Sequence, residues 1–201
     1  SMGYLLDVLG KNNTTATLFF LGWIAEKYPA LVKLAHERGH EIAVHGYYHN
    51  LVYNQTYDEF HEEIGNAKDK LENIIGAPVK GYRAPGFSIT KETVWAYKAL
   101  MELGFQYSSS VFPAKRAHGQ FPEFGTSPKI ITHEEKQIIE FPMPVLGSPF
   151  QFFNCFGGGY FRLFPSFVYR RAIGMLQRKS DLNIFYIHPR DVDVHQPKLD
   201  L

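Results

Sequence analysis

Two histidines four residues apart close a short apolar run: His45-Gly46-Tyr47-Tyr48-His49 follows Glu41 to Val44. Imidazoles at that spacing can reach one metal ion if the backbone turns between them, and Gly46 eases such a turn. Neutral imidazole is the commonest nitrogen ligand for zinc, with Zn–N near ~2.0–2.1 Å. The helical zinc-protease motif requires Glu directly after the first His, and Gly46 stands there instead. Taken alone, the pair also reads as two unrelated loop histidines. A second feature is Arg83-Ala84-Pro85-Gly86. Pro85 pushes Ala84 to an extended conformation and Gly86 permits a tight turn, so Arg83 would point from a strand end. A guanidinium fixed there can orient and ionise a carboxylate that serves as general base. A surface Arg beside a turn is the plainer alternative. The third is Phe185-Tyr186-Ile187-His188-Pro189, an apolar run ending in an imidazole suited to general acid catalysis. A satisfied His at a strand end fits the same residues. Asp191, Asp193 and His195 nearby are either further ligands or solvated loop charge.

Each feature follows a segment that reads as a strand, and in α/β sheets and barrels active sites gather at the C-terminal ends of strands. Thr15 to Leu21 and Glu41 to Val44 are short β-prone runs, and Ala25 to Arg38 between them has helical spacing closed by Gly39. That order is a βαβ unit, since parallel strands need such a crossover. Residues 4–9 read as the tail of an amphipathic helix. Thr56 followed by Glu59 has the capping-box spacing and opens a long polar helix ending near Gly76. Val79 to Arg83, Phe105 to Ser109, Ile138 to Met143 and Asn183 to His188 read as strands. Thr90 to Leu103 reads as a helix, and Pro165 opens another running to about Arg178. Phe112 to Pro128 is loop. Alternating strands and helices predict one α/β domain over residues 1–201.

Composition narrows the function classes. The chain has 201 residues, 45% hydrophobic, with a formal net charge of +1. This is globular rather than disordered, and near-neutral charge gives no basis for nucleic acid as a partner. No apolar run approaches the ~20 residues of a membrane span. The lone cysteine, Cys155, excludes an intramolecular disulfide and reads as a buried thiol. No secretory leader is visible and Ser1-Met2 reads as a cloning remnant, so compartment is left open, with bacterial cytoplasm as the default. Aromatics, at 15% of residues, sit often beside Gly or Pro. That suits both a buried core and a sugar-binding surface.

His-x-x-x-His, then Arg-x-Pro, then an apolar strand ending in His, resembles the NodB-homology polysaccharide deacetylases. Gly81 to Ile89, Phe156 to Leu163 and Tyr186 to Pro189 are similar to the subgroup found in exopolysaccharide-export gene clusters. The resemblance spans about residues 4–198. It implies a distorted (β/α) barrel with fewer than eight strands, and hydrolysis of N-acetyl groups from an amino-sugar polysaccharide or oligosaccharide. It also implies a divalent metal, usually zinc, held by an Asp and two His, the latter matching His45 and His49. Arg83 matches the Arg that orients the base, and His188 the His that protonates the leaving amine. The resemblance further implies Pro85, Gly86 and Tyr160 as substrate-contacting positions.

The chain departs from that pattern. It opens in the family's first helix, so the expectation is that the first strand, with its paired acids (the metal-binding Asp and the base), is absent from it. Ser108 stands where the subgroup usually has Asp, and Gly46 where most relatives have Ser or Thr. A barrel lacking one strand exposes two edges, which predicts low solubility or stability, or pairing between copies. Two other functions fit the same residues: a glycan-binding relative without catalysis, and an amidohydrolase acting on a small amide. The Gly157-Gly158-Gly159-Tyr160 segment favours a polymer, by resemblance.

Overall fold

The computed structural model describes residues 2–115, 119–145, 165–178 and 182–193, apart from the side chains of Tyr169 and Leu176. The chain divides into two compact units, Thr15–Met143 and a second drawn from both ends, Ser1–Thr14 with Pro144–Leu201.

The larger unit is built on a six-stranded sheet in the order β1-β2-β3-β4-β6-β5. Its strands are β1 (Thr17–Phe20), β2 (Glu41–Val44), β3 (Gly81–Tyr82), β4 (Tyr107–Ser108), β5 (Lys129–His133) and β6 (Lys136–Glu140). Pairing is parallel from β1 through β4 to β6, and β5 joins β6 as an antiparallel hairpin. Parallel neighbours cannot be joined by tight turns, so helices carry the chain back across the sheet. These are α2 (Gly22–Lys27), α3 (Pro29–Glu37), α4 (Tyr57–Ile75) and α5 (Ala96–Glu102). This is the α/β architecture expected from the sequence, in keeping with a distorted (β/α) barrel.

Helix α4 shows why the residues fold as they do. Thr56 Oγ1 accepts from the Glu59 amide (3.3 Å) and the Glu59 carboxylate accepts from the Thr56 amide (2.8 Å). This is the reciprocal cap that the spacing predicts. Gly76 closes the helix in the left-handed region, at φ 68°, where the lack of a Cβ removes the usual penalty. Phe60, Ile64, Ala67 and Leu71 recur at helical spacing and are all buried. Phe60 meets Tyr82 of β3 edge to face at 5.7 Å and Trp95 at 5.6 Å. The apolar stripe thereby seals onto the sheet.

Several expected elements differ. The helix expected over Ala25 to Arg38 is two, because Tyr28 leaves helical geometry (φ −133°, ψ 58°) before Pro29 starts α3. A residue ahead of proline is held out of the α region by the proline ring. The helix expected over Thr90 to Leu103 begins as a 3₁₀ turn, Lys91–Thr93, with α5 following. There Thr93 Oγ1 accepts from the Thr90 amide (2.8 Å). That side-chain bond holds the first turn apart from the helix proper. Strand β5 lies inside no expected strand.

In the smaller unit, α1 (Met2–Lys11) buries Leu5 and Leu6 and lies against the 3₁₀ turn Pro189–Val192. Helix α6 (Ser166–Gln177) begins directly after Pro165. The strand expected over Asn183 to His188 is not formed. Only Tyr186 takes part in a β-bridge, and Pro189, which cannot donate, turns the chain into 3₁₀ geometry. Among the described residues no helix is long and apolar enough to cross a membrane.

Candidate active site

The first site residues sit where β2 ends. The His45 amide donates to Phe20 O (2.8 Å), one step beyond the β1–β2 ladder, so the imidazole emerges from the strand end. Gly46 follows at φ 84°, and its carbonyl accepts from the Gly22 amide (2.9 Å) at the start of α2. An L-residue would be strained there, and a Cβ would also stand 3.3 Å from Pro85 Cγ. His49 too has positive φ, 67°. This turn brings the His45 and His49 rings to 5.1 Å, edge to face. His45 Nδ1 lies 2.7 Å from Arg83 O. A carbonyl only accepts, so Nδ1 carries the hydrogen; in the neutral ring that leaves the lone pair on Nε2, the tautomer a metal ligand needs.

Glu63 on α4 holds the turn. Its carboxylate accepts from the Tyr47 amide (2.8 Å), the Tyr48 amide (3.3 Å), Asn50 Nδ2 (2.9 Å) and Gln55 Nε2 (2.5 Å). Tyr47 donates its hydroxyl to Glu26 (2.6 Å), and that hydrogen bond pushes the phenol up to about 12, so the ring stays neutral.

Arg83 leaves the end of β3. Its Nε donates to Ser109 O (3.0 Å) and its Nη2 to Ser109 Oγ (2.8 Å). The Phe19 ring lies 4.2 Å beneath the guanidinium, close enough for its π face to attract the cation. Pro85 packs beside Gly46, and Gly86 takes φ 61°, as the tight turn requires. His45, His49, Arg83, Pro85 and Gly86 are thus brought together, and His45 and Arg83 are bonded directly.

His188 belongs to the smaller unit. Its ring Nδ1 lies 3.3 Å from Asp191 Oδ2, and its amide donates to the same oxygen (2.8 Å). The imidazole is therefore oriented by a carboxylate, and its side chain is 46% exposed rather than set at a desolvated rim. Tyr160, Gly157 to Gly159, Cys155 and His195 lie outside the described residues. Among the described residues no group of three His, Cys, Asp or Glu side chains is arranged to hold a metal ion; the histidine pair offers two nitrogens.

Three residues of this network escape a reading of the sequence. Glu63 is one acid among many on a polar helix, and nothing local marks it. Ser109 reads as ordinary strand. Glu140 is fully buried at the end of β6. A signal for it exists: it stands two residues after Ile138, hence on the same buried face of a strand.

Imidazoles and a fixed arginine at the ends of parallel strands place the chain among α/β proteins whose sites are built at that sheet edge. Residues 2–107 match the family described as polysaccharide deacetylase, and residues 109–201 match a domain of unknown function (DUF3473). The chain belongs to the polysaccharide deacetylase family. It is 34% identical over 93 residues to a peptidoglycan-N-acetylglucosamine deacetylase of Bacillus cereus, covering 46% of this chain and 34% of that protein. Against chitin deacetylase 2 of Cryptococcus neoformans it is 30% identical, covering 40% of this chain and 18% of the relative. A crystal structure of a Mycobacterium smegmatis protein described as a candidate polysaccharide deacetylase superposes with a TM-score of 0.60 at 26% identity. That likeness covers 71% of this chain and 45% of the other. The chain thus spans less than half the length of each of these proteins.

Proposed function

We propose that this chain carries the histidine–arginine half of a metal-dependent deacetylase that hydrolyses N-acetyl groups of an amino-sugar polysaccharide, in particular an exopolysaccharide. The observation that supports this most is the direct bond between the two sequence motifs, His45 Nδ1 to Arg83 O at 2.7 Å, beside a second imidazole 5.1 Å away. His45 and His49 would hold a divalent ion, zinc first, as two of the three protein ligands usual at a catalytic zinc. Such an ion supplies Lewis-acid polarisation of the acetyl carbonyl.

Other residues of the chain would take further parts. Arg83, fixed by Ser109 and Phe19, presents a rigid fork that would orient a carboxylate base. His188, oriented by Asp191, would deliver the proton to the leaving amine nitrogen. Pro85 and Gly86 would shape the adjoining wall for the sugar, with Tyr160, outside the described residues, as a further contact.

The test is acetate release from an N-acetylglucosamine oligomer by the full-length protein, with elemental analysis of its metal content. The expected result is turnover and about one zinc per chain, both lost in His45→Ala/His49→Ala. Saturable oligosaccharide binding with no acetate would instead favour the glycan-binding alternative. Turnover of a small cyclic amide but not of the oligomer would favour an amidohydrolase.

A further inference from the structure

We infer that Glu140, a buried carboxyl at the end of β6, is the positioning residue for the Arg83 guanidinium. The inference rests in part on the deacetylase reading of Arg83. It gives the segment matching a domain of unknown function a share in the deacetylase site, since Arg83 lies in one matched segment and Glu140 in the other.

Glu140 is wholly buried. Its Oε1 accepts from the Ser110 amide (2.7 Å) and the Val111 amide (2.9 Å). Its Oε2 and the nearby Tyr97 hydroxyl are buried without a hydrogen bond, among the described residues. A buried acid is costly unless it is partnered, and the backbone donors this one grips are two successive amides of the segment that follows β4. That segment holds Arg83. Ser109, immediately before Ser110, accepts two guanidinium bonds, and Ser110 Oγ accepts from the Ala84 amide (2.8 Å). Glu140 therefore sets the path of the backbone whose carbonyl and hydroxyl fix the fork. Two backbone bonds, Ser109 N to Tyr82 O and Met143 N to Val111 O (both 2.9 Å), tether the same segment, so the rival account is that these bonds suffice.

The Arg83 Nε–H signal in a nitrogen-15 correlation spectrum separates the two, assigned by its loss in Arg83→Lys. Glu140→Asp keeps the acid but withdraws it by one methylene, Glu140→Met removes the acceptor at similar length, and Glu140→Gln keeps one acceptor oxygen in place. Positioning predicts that in the Asp and Met variants the Arg83 Nε–H exchanges with water about 10-fold faster or more, through local opening, while Gln stays within about 2-fold of wild type. In the full-length protein the same two variants should lower kcat about 10-fold or more with KM little changed, since misplacing such a group by ~1 Å costs up to about 100-fold. Gln should restore most of kcat. An unchanged Arg83 Nε–H in a folded Asp or Met variant would overturn the inference. So would failure of both to fold alongside a Gln variant in which Arg83 is unmoved, for Glu140 would then be structural only. If the full-length wild type releases no acetate, the deacetylase reading fails while Arg83 exchange still decides this point.

Discussion

The Glu140 carboxyl is pulled two ways. Burial favours its neutral form, and the Ser108 hydroxyl, the Ser110 and Val111 amides and the Tyr97 hydroxyl favour its anion; burial wins and the group is raised above the usual carboxylate range. The folded protein therefore binds this proton more tightly than the unfolded chain does. Above the unfolded value of about 4.3, stability falls as pH rises through the raised folded value. Glu140→Gln removes that loss, so urea unfolding at several pH values should show the variant gaining on wild type as pH rises across that window. A stability difference that does not change with pH would contradict this. Glu63 makes a different prediction at the same scale. Four donors are directed at its carboxylate. Glu63→Ala should therefore cost about 2 kcal/mol by denaturant unfolding. If the histidine pair holds zinc as proposed, its affinity, read by calorimetric titration, should weaken about 10-fold or more as the turn carrying His49 loosens.

Among the elements, α4 and β3 carry the clearest expectations. Thr56→Ala removes one half of the cap and should cost about 1 kcal/mol in a thermal or urea melt. Gly81 faces the Tyr107 ring so closely that a Cβ would collide with it. Gly81→Ala should force that half-buried ring aside and destabilise by about 1–3 kcal/mol, measured the same way. What could be read from the sequence follows the range of the forces. The cap at Thr56 and Glu59, strand β2 and the histidine turn are local, and the structure has them where the spacing puts them. Pro29 is visible too, but helical periodicity on both sides of it masks the break. Strand β5 is not legible, because Lys129 to His133 is largely exposed and shows no alternating apolar face; its partner β6 makes it a strand. The joining of His45 to Arg83, and of Arg83 to Ser109, is long-range and leaves no mark in any short window.

At the scale of the whole molecule the described residues of the two units differ in how much they bury. Among them, buried apolar residues are concentrated in Thr15–Met143, whereas α6 buries Ala172 and exposes Phe167, Ile173 and Met175. Hydrogen exchange followed by mass spectrometry should find the slowest amides in α4 and β2 and markedly faster ones in α6. Equal protection across both units would contradict that ordering. The sheet itself ignores the boundary between the two family matches: β4 ends at Ser108 and β6 lies beyond it, yet they pair in register.

The spacing of the site's bonds along the chain has a kinetic consequence. The link from His45 to Arg83 spans 38 residues, that from Arg83 to Ser109 spans 26, and that from Ser110 to Glu140 spans 30. None can exist until the strands bearing its two ends have paired, and pairing of parallel strands must first close a long loop. A nascent or partly refolded chain in which β1 and β2 alone have met already presents both histidines, but without the carbonyl that sets the tautomer of the first. The proposed binding turn can therefore form before it is competent, and with Glu140 in the role inferred above competence would wait for β6, the last parallel strand of this sheet to emerge in synthesis.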